Sequence, residues 1–345
     1  MASANPFPLI RNGWYVAAPS LQLRAEPLAC RVLDHDIVLF RGVLGAVRAL
    51  LDRCCHRGVR LSLGTVNDGV IACHYHGWRY DGSGRCVCIP SLTRDEEPSP
   101  RARVRAFTCL EQQAYVWVWI GEGEPDPPAP ARIDSFEEFL WQQGSIEMAC
   151  AAGLGIENNL DWCHPAFAHP WAHRQFFYSR LAGPQEHAYE TRITDDGMVL
   201  FGPATASETE PIPAQCWFKA RFTLPDRLTL EMGYGSRSLI VLHCVPTAEG
   251  TCRLEWLMSV LPSPRTIDGT RVSWSDEEPL ILMQDRSLLE SAQAAYRREG
   301  AHFECSVQAD TCTLLARRII GLASEGRWPG ARATLPARRV VSVKI

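Results

Sequence analysis

A chain of 345 residues, 46% of them hydrophobic, can bury a sizeable core, and its length fits two domains. Its 35 basic and 39 acidic residues leave a formal charge of -4, without the basic field that nucleic-acid binding needs. The opening MASANPFPLIRNGWYV lacks the order of a secretory signal, and no apolar run reaches the ~18 residues of a membrane span, so a cytoplasmic protein without membrane contact is expected.

From Gly13 to Ile120, short β-type runs such as Cys30–Phe40 and Ala114–Ile120 alternate with turn pairs such as Asp68-Gly69 and Asp81-Gly82, which predicts a small all-β domain. The stretch 121–132, GEGEPDPPAPAR, reads as an extended connection, and the break placed within it gives domains 1–125 and 126–345. Beyond it, Ser135 with Glu138 three residues on predicts a capped helix over Ser135–Gln143, and a second helix is expected around Gly155–His164.

Four β-type runs follow, Ala214–Thr223, Leu228–Tyr234, Leu239–Pro246 and Cys252–Leu261, separated by turn pairs as in an antiparallel meander. Helices are expected at Glu277–Arg298 and Asp310–Gly321. The fold class is therefore α+β, an all-β N-terminal domain followed by a curved antiparallel sheet covered by helices.

Fourteen cysteines scattered over so long a chain read mostly as buried thiols in a reducing compartment. Two groups stand apart from that background. Cys54-Cys55-His56 and Cys73-His74-Tyr75-His76 form C-x-H and C-x-x-H pairs with sixteen residues between them, each beside turn-forming glycines. Two loops that each supply one thiolate and one imidazole suit a Rieske 2Fe-2S centre, which needs two of each. The same four residues could equally make a tetrahedral zinc site.

A second constellation, N-x2-D-x2-H-x4-H, runs from Asn158 through Asp161 and His164 to His169. On a helix Asp161 and His164 share a face, and Pro165 would distort the next turn so that His169 swings back. Two histidines and one carboxylate form the facial triad of non-heme ferrous iron. Asp285 is the candidate carboxylate, because it falls within an apolar stripe of Ile281, Leu288, Leu289, Ala292 and Tyr296 while Glu290 points away. A carboxylate on such a stripe needs a metal or an ion-pair partner. His173 competes with His169 by spacing, and His243 in LIVLHCV reads as a core or pocket residue.

CCHRGVRLSLG, CHYHGWRYDGSGRC and MQDRSLLESAQ, together with D-x2-H-x4-H, resemble the Rieske non-heme iron oxygenases, over nearly the whole chain from Asn12 to Gly321. The single-polypeptide monooxygenases and demethylases, the vanillate O-demethylase oxygenase type, are the nearest subgroup. The resemblance implies a cluster on Cys54, His56, Cys73 and His76, and Fe(II) on His164, His169 and Asp285. Asn158 matches a position near that iron. It further implies a head-to-tail homotrimer, in which Asp161 bridges His76 of a neighbouring copy to His164.

Two positions depart from the family pattern: Cys55 and His74 stand where proline is usual. Respiratory Rieske proteins carry an additional cysteine in each loop, where this chain has Val59 and Tyr75, so the likeness is to the oxygenase branch. Cys86 and Cys88 read as thiols packed under the loops. No G-x-G-x-x-G fingerprint for a dinucleotide is present, so electrons are expected from an NAD(P)H-dependent reductase or ferredoxin. O2 and a small aromatic or cyclic molecule are the implied substrates. The rival expectation is a Rieske electron carrier fused to a non-catalytic ligand-binding domain.

Overall fold

The computed structural model describes residues 6–93, 96–169, 186–202, 217–233, 237–260, 265–267, 270–272 and 274–344. The chain divides into two units, Arg11–Phe136 and a second that joins Met1–Ile10 to Glu137–Ile345. Among the described residues no helix is long and apolar enough to cross a membrane.

The first unit is built from three small antiparallel sheets. Leu33 and Asp34 both have positive φ, 47° and 65°, and this two-residue turn divides the expected run Cys30–Phe40 into strands Leu28–Val32 and His35–Arg41. Such a turn matches the right-handed twist of the strands it joins. The predicted Asp68-Gly69 pair forms a second turn of this kind, between Thr65–Asn67 and Val70–Ala72. These two short strands, with Arg79–Tyr80 and Cys86–Cys88, make the four-stranded sheet from which the two Cys/His loops project. Its core contains Ile71, Tyr80, Leu61 and Phe40 together with Cys54, Cys73 and Cys86, so the loop cysteines are part of the packed interior.

The second unit has one antiparallel sheet of eight strands: β1 (Leu140–Met148), β2 (Glu186–Thr194), β3 (Gly197–Gly202), β4 (Trp217–Thr223), β5 (Arg227–Gly233), β6 (Arg237–Ala248), β7 (Thr251–Val260) and β8 (Arg338–Lys344). Their order is β1-β7-β6-β5-β4-β3-β2-β8. Strands β4 to β7 are the predicted meander; positions 214–216, 234 and 261 of the expected runs lie outside the described residues. Strands β2, β3 and β8 were not anticipated.

The helix expected over Ser135–Gln143 is not formed. Ser135 has φ 57° rather than the extended conformation of an N-cap, and only Phe136–Glu138 makes a 3-10 turn. Strand β1 then pairs with β7 along its whole length, from Leu140 opposite Val260 to Met148 opposite Cys252. Ladder bonds to a distant strand outweigh a capping signal that is local and weak.

Helices α1 (Ala152–Leu160), α3 (Trp274–Glu299) and α4 (Thr311–Ser324) share a core with the sheet, which includes Leu154, Ile156, Leu160, Leu282, Leu289, Ile319, Leu242 and Trp256. The short α2 (Pro165–Ala168) follows α1. A Cβ at Gly155 would come 3.1 Å from Cys244 Sγ, so the missing side chain lets α1 lie close on β6.

Arg317 of α4 locks α1 in place. Its Nε and Nη2 donate to Glu157 of α1 at 2.6 and 2.7 Å, and its Nη1 and Nη2 to Glu304 at 2.6 and 2.9 Å. Burial disfavours the guanidinium charge, but the bonds to Glu157 and Glu304 outweigh it and raise the Arg317 pKa.

Candidate metal centres

Two loops of the first unit share one backbone scaffold. Cys54 N–H donates to Val59 O at 2.8 Å and Gly58 N–H to Cys54 O at 3.0 Å; Cys73 N–H donates to Trp78 O at 2.8 Å and Gly77 N–H to Cys73 O at 2.9 Å. Gly58 and Gly77 have φ of 76° and 70°, the left-handed conformation that favours glycine. The glycines of HRG and GWR follow from this turn geometry.

The scaffold turns two thiols inward and two imidazoles outward. Cys54 and Cys73 are each 3% exposed, and burial pushes the Cys73 thiol up. The His56 and His76 rings are 4.6 Å apart, and Trp78 stacks on His56 at 4.5 Å with the ring planes 6° apart. Desolvation, then His76 and Arg57, lower the His56 pKa and so favour the neutral imidazole a metal requires.

His56 Nδ1 is buried without a hydrogen-bond partner, while His76 is exposed. Two sulfurs and two imidazoles, one of them with an unpartnered buried nitrogen, are the donor set of a Rieske cluster, and the residues fit it. Cys86, 2% exposed, packs in the core beneath, as expected for a structural thiol.

In the second unit, one ligand atom each from His164, His169 and Asp285 all lie within 4.8 Å of one another. The local geometry differs from the sequence expectation. Helix α1 ends at Leu160, and Asp161 has φ -80° and ψ 116°, so Asp161 and His164 do not share a helical face. Asp161 Oδ1 instead accepts the amide protons of Cys163 at 2.7 Å and His164 at 3.3 Å. Pro165 begins α2, where its lack of N–H costs nothing, rather than breaking a helix. His164 and His169 therefore flank α2 at its two ends, and the short helix sets their spacing.

Hydrogen bonding settles which ring nitrogens face the shared space. His164 Nδ1 lies 3.1 Å from the carbonyl oxygen of Asp161, and His169 Nδ1 lies 2.7 Å from Gln284 Oε1. Both oxygens only accept, so each Nδ1 carries the proton and each Nε2 presents a lone pair. Those lone pairs face Asp285 Oδ1 at 3.7 Å from His164 and 2.8 Å from His169. Three electron-rich atoms converging in a site where His169 is 2% and Asp285 6% exposed repel one another unless a cation sits among them, which suits a metal ion. Burial lowers the His164 pKa, partly offset by Asp285 and Asp161, which keeps the imidazole neutral.

Asn158 lies one turn before Asp161 and accepts its amide proton through the backbone carbonyl at 3.2 Å. His173 lies outside the described residues. His243 is fully buried, with Nδ1 3.2 Å from Asp226 Oδ1, as a core histidine would be. Among nearby aromatics, Trp256 is in the core of the second unit and Phe167 of α2 is 79% exposed.

The stripe on α3 is shifted from the predicted one. Leu282, Asp285, Leu289 and Gln293 are buried, while Leu288 is 52% exposed. Glu290 does not point away, for its Oε1 accepts Ala149 N–H at 2.9 Å, and Gln293 Oε1 accepts Ala151 N–H at 2.7 Å. These two residues and Gln284, none assigned a role from sequence, clamp the entry to α1 and orient His169. Their sequence signal is that all three lie in MQDRSLLESAQ, one residue before and five and eight after the candidate carboxylate.

Residues 13–112 match the Rieske [2Fe-2S] domain, and residues 148–325 match the vanillate O-demethylase oxygenase C-terminal domain. The chain belongs to the Rieske non-heme iron oxygenases.

As a Rieske oxygenase it is an oxidoreductase, with the cluster domain first and the oxygenase domain second. The vanillate O-demethylase oxygenase subunit of Pseudomonas sp. strain HR199 is 25% identical over 359 residues, covering 95% of this chain and 98% of the relative. The toluene-4-sulfonate monooxygenase system iron-sulfur subunit of Comamonas testosteroni is 34% identical over 170 residues, an alignment spanning 47% of each chain. A solved structure of a Pseudomonas putida NdmA mutant with theobromine has the same fold, with a TM-score of 0.74, 24% identity and 96% of both chains covered.

Proposed function

We propose that this Rieske oxygenase uses O2 and electrons from an NAD(P)H-dependent reductase or a ferredoxin to hydroxylate, or to O- or N-demethylate, a small aromatic or cyclic molecule. Cys54, His56, Cys73 and His76 would hold the 2Fe-2S cluster, and His164, His169 and Asp285 the mononuclear Fe(II). The cluster supplies electrons singly, and the ferrous ion supplies open positions for dioxygen.

The observation that carries this reading is the convergence of His164, His169 and Asp285, with both histidines turned by their Nδ1 partners so that Nε2 faces the carboxylate. The substrate class is that of the relatives, named for vanillate, toluene-4-sulfonate and methylxanthine. Division into an electron-accepting domain, 1–125, and an oxygen-activating domain, 126–345, is part of the proposal.

So is a homotrimer in which Asp161 joins the cluster of one copy to the iron of the next. Its carboxylate is 37% exposed, and its second oxygen lies 4.0 Å from His164 Nδ1, so it is available to a neighbouring imidazole. None of the described cysteines is in a disulfide, which supports residence in the reducing cytoplasm.

The test is metal analysis of the purified protein followed by oxygen-dependent turnover of methoxylated and N-methylated aromatic compounds with a reductase present. About three irons per chain and an alcohol or a demethylated product are expected. About two irons per chain, with no oxygen consumed for any compound, would leave an electron carrier instead.

A further inference from the structure

Cys55 departs from the family pattern inside the first Cys/His pair, and the structure gives its side chain a specific neighbour. Tyr80 Oη lies 3.1 Å from Cys54 Sγ and 3.3 Å from Cys55 Sγ. Tyr80 is fully buried, so one phenol without water for company touches both thiols. A phenol has a single proton to give. With Cys54 held as a thiolate that sulfur only accepts, so Tyr80 O–H donates to Cys54 Sγ. The Tyr80 oxygen then has lone pairs to spare, and the Cys55 S–H is the donor beside them.

We propose that Cys55 is a positioning residue for the cluster: its S–H donates to Tyr80 Oη, and this strengthens the bond from Tyr80 O–H to Cys54 Sγ. Donation to a ligand sulfur draws charge from the cluster and favours its reduced form, which raises the potential. An O–H whose oxygen also accepts a hydrogen bond is the better donor, because the two bonds polarise one another. Proline, usual at this position, offers no such donor. The inference rests on Cys54 as a cluster ligand.

An anaerobic redox titration of the holoprotein, followed by electron paramagnetic resonance, tests it. Tyr80→Phe should shift the reduction equilibrium toward the oxidised cluster about tenfold, or about 59 mV for this one-electron couple. Cys55→Ala should shift it the same way by about twofold, and Cys55→Ser, which keeps a donor, should stay near the parent. In a Tyr80→Phe background Cys55→Ala should add nothing. A raised or unchanged potential in Cys55→Ala, or a shift that persists without Tyr80, overturns the proposal.

Should Cys55→Ala fail to assemble a cluster, methylthiolation of this exposed thiol in the parent, reversed with dithiothreitol and controlled with Cys55→Ser, makes the same measurement. A Cys54→Ala variant that retained its cluster spectrum would instead unseat the ligand assignment itself.

Discussion

The loops at 54–59 and 73–78 each close on themselves through a bond between their first and last residues, whereas His169 and Asp285 meet across 116 positions of sequence. Each loop fixes one thiol and one imidazole with its own glycine and its own amides. The iron site instead depends on α3 lying at one depth against α1 and α2, which the bonds from Ala149 and Ala151 to Glu290 and Gln293 secure. The difference teaches where each centre is vulnerable: the cluster to changes within its loops, the iron site to changes anywhere along the packing that registers α3.

The largest effect should come from breaking one site and sparing the other. Asp285→Ala and His164→Ala are expected to abolish turnover and remove about one iron per chain while the visible spectrum of the cluster persists. His56→Ala should bleach the cluster and leave ferrous binding in the second unit. Loss of colour in Asp285→Ala would mean that the two centres are not built independently.

Next in size is the lock behind the iron site. Arg317→Leu leaves Glu157 and Glu304 without their guanidinium, and should lower stability by about 3–5 kcal/mol in chemical denaturation of the second unit. The first unit should keep its unfolding midpoint if the comparison is sound. A smaller, more local change is Gln284→Leu, which removes the acceptor that holds the His169 tautomer. Iron affinity should fall about 10–100-fold in a metal titration with the fold unchanged.

The smallest effect is on β2, beside the edge strand β8. Glu190, 2% exposed, is held below its ordinary value of 4.5 by the hydrogen bond from Arg338, against the opposing effect of burial, and by Arg192. Its folded pKa is depressed, so its contribution is complete above 4.5 and is lost as pH falls through the lower folded value. Unfolding midpoints should drop on the acid side of 4.5, and Glu190→Gln should flatten that drop. A slope unchanged in the variant would assign it to other carboxylates, such as Glu304, which Arg317 also holds low.

Much of the chemistry was legible in the residues, for reasons that differ between the sites. The loop motifs carry ligands, turn glycines and the stacking Trp78 within a few positions, so local sequence contains the whole structural instruction. Asp285 was legible only as a polar residue on an apolar stripe, and the stripe itself was drawn one position off: Leu282 is buried and Leu288 exposed. Asp285 and Leu289 lie on both stripes, because the apolar face of a helix spans an arc of roughly 100° and two such arcs overlap when one is rotated by part of a turn.

The sequence by itself determined the donor chemistry: which thiols, imidazoles and carboxylate are available, and the glycine-closed turns that present the first four. Only the tertiary structure decided that 140–148 is an edge strand rather than a helix, that α1 stops at Leu160, and that His164 and His169 stand at the two ends of a four-residue helix. The physical reason is the range of the forces involved. Turn and capping preferences act over a few residues and are worth about a kilocalorie per mole each. Strand pairing and burial of a carboxylate among histidines are decided by partners more than a hundred positions away.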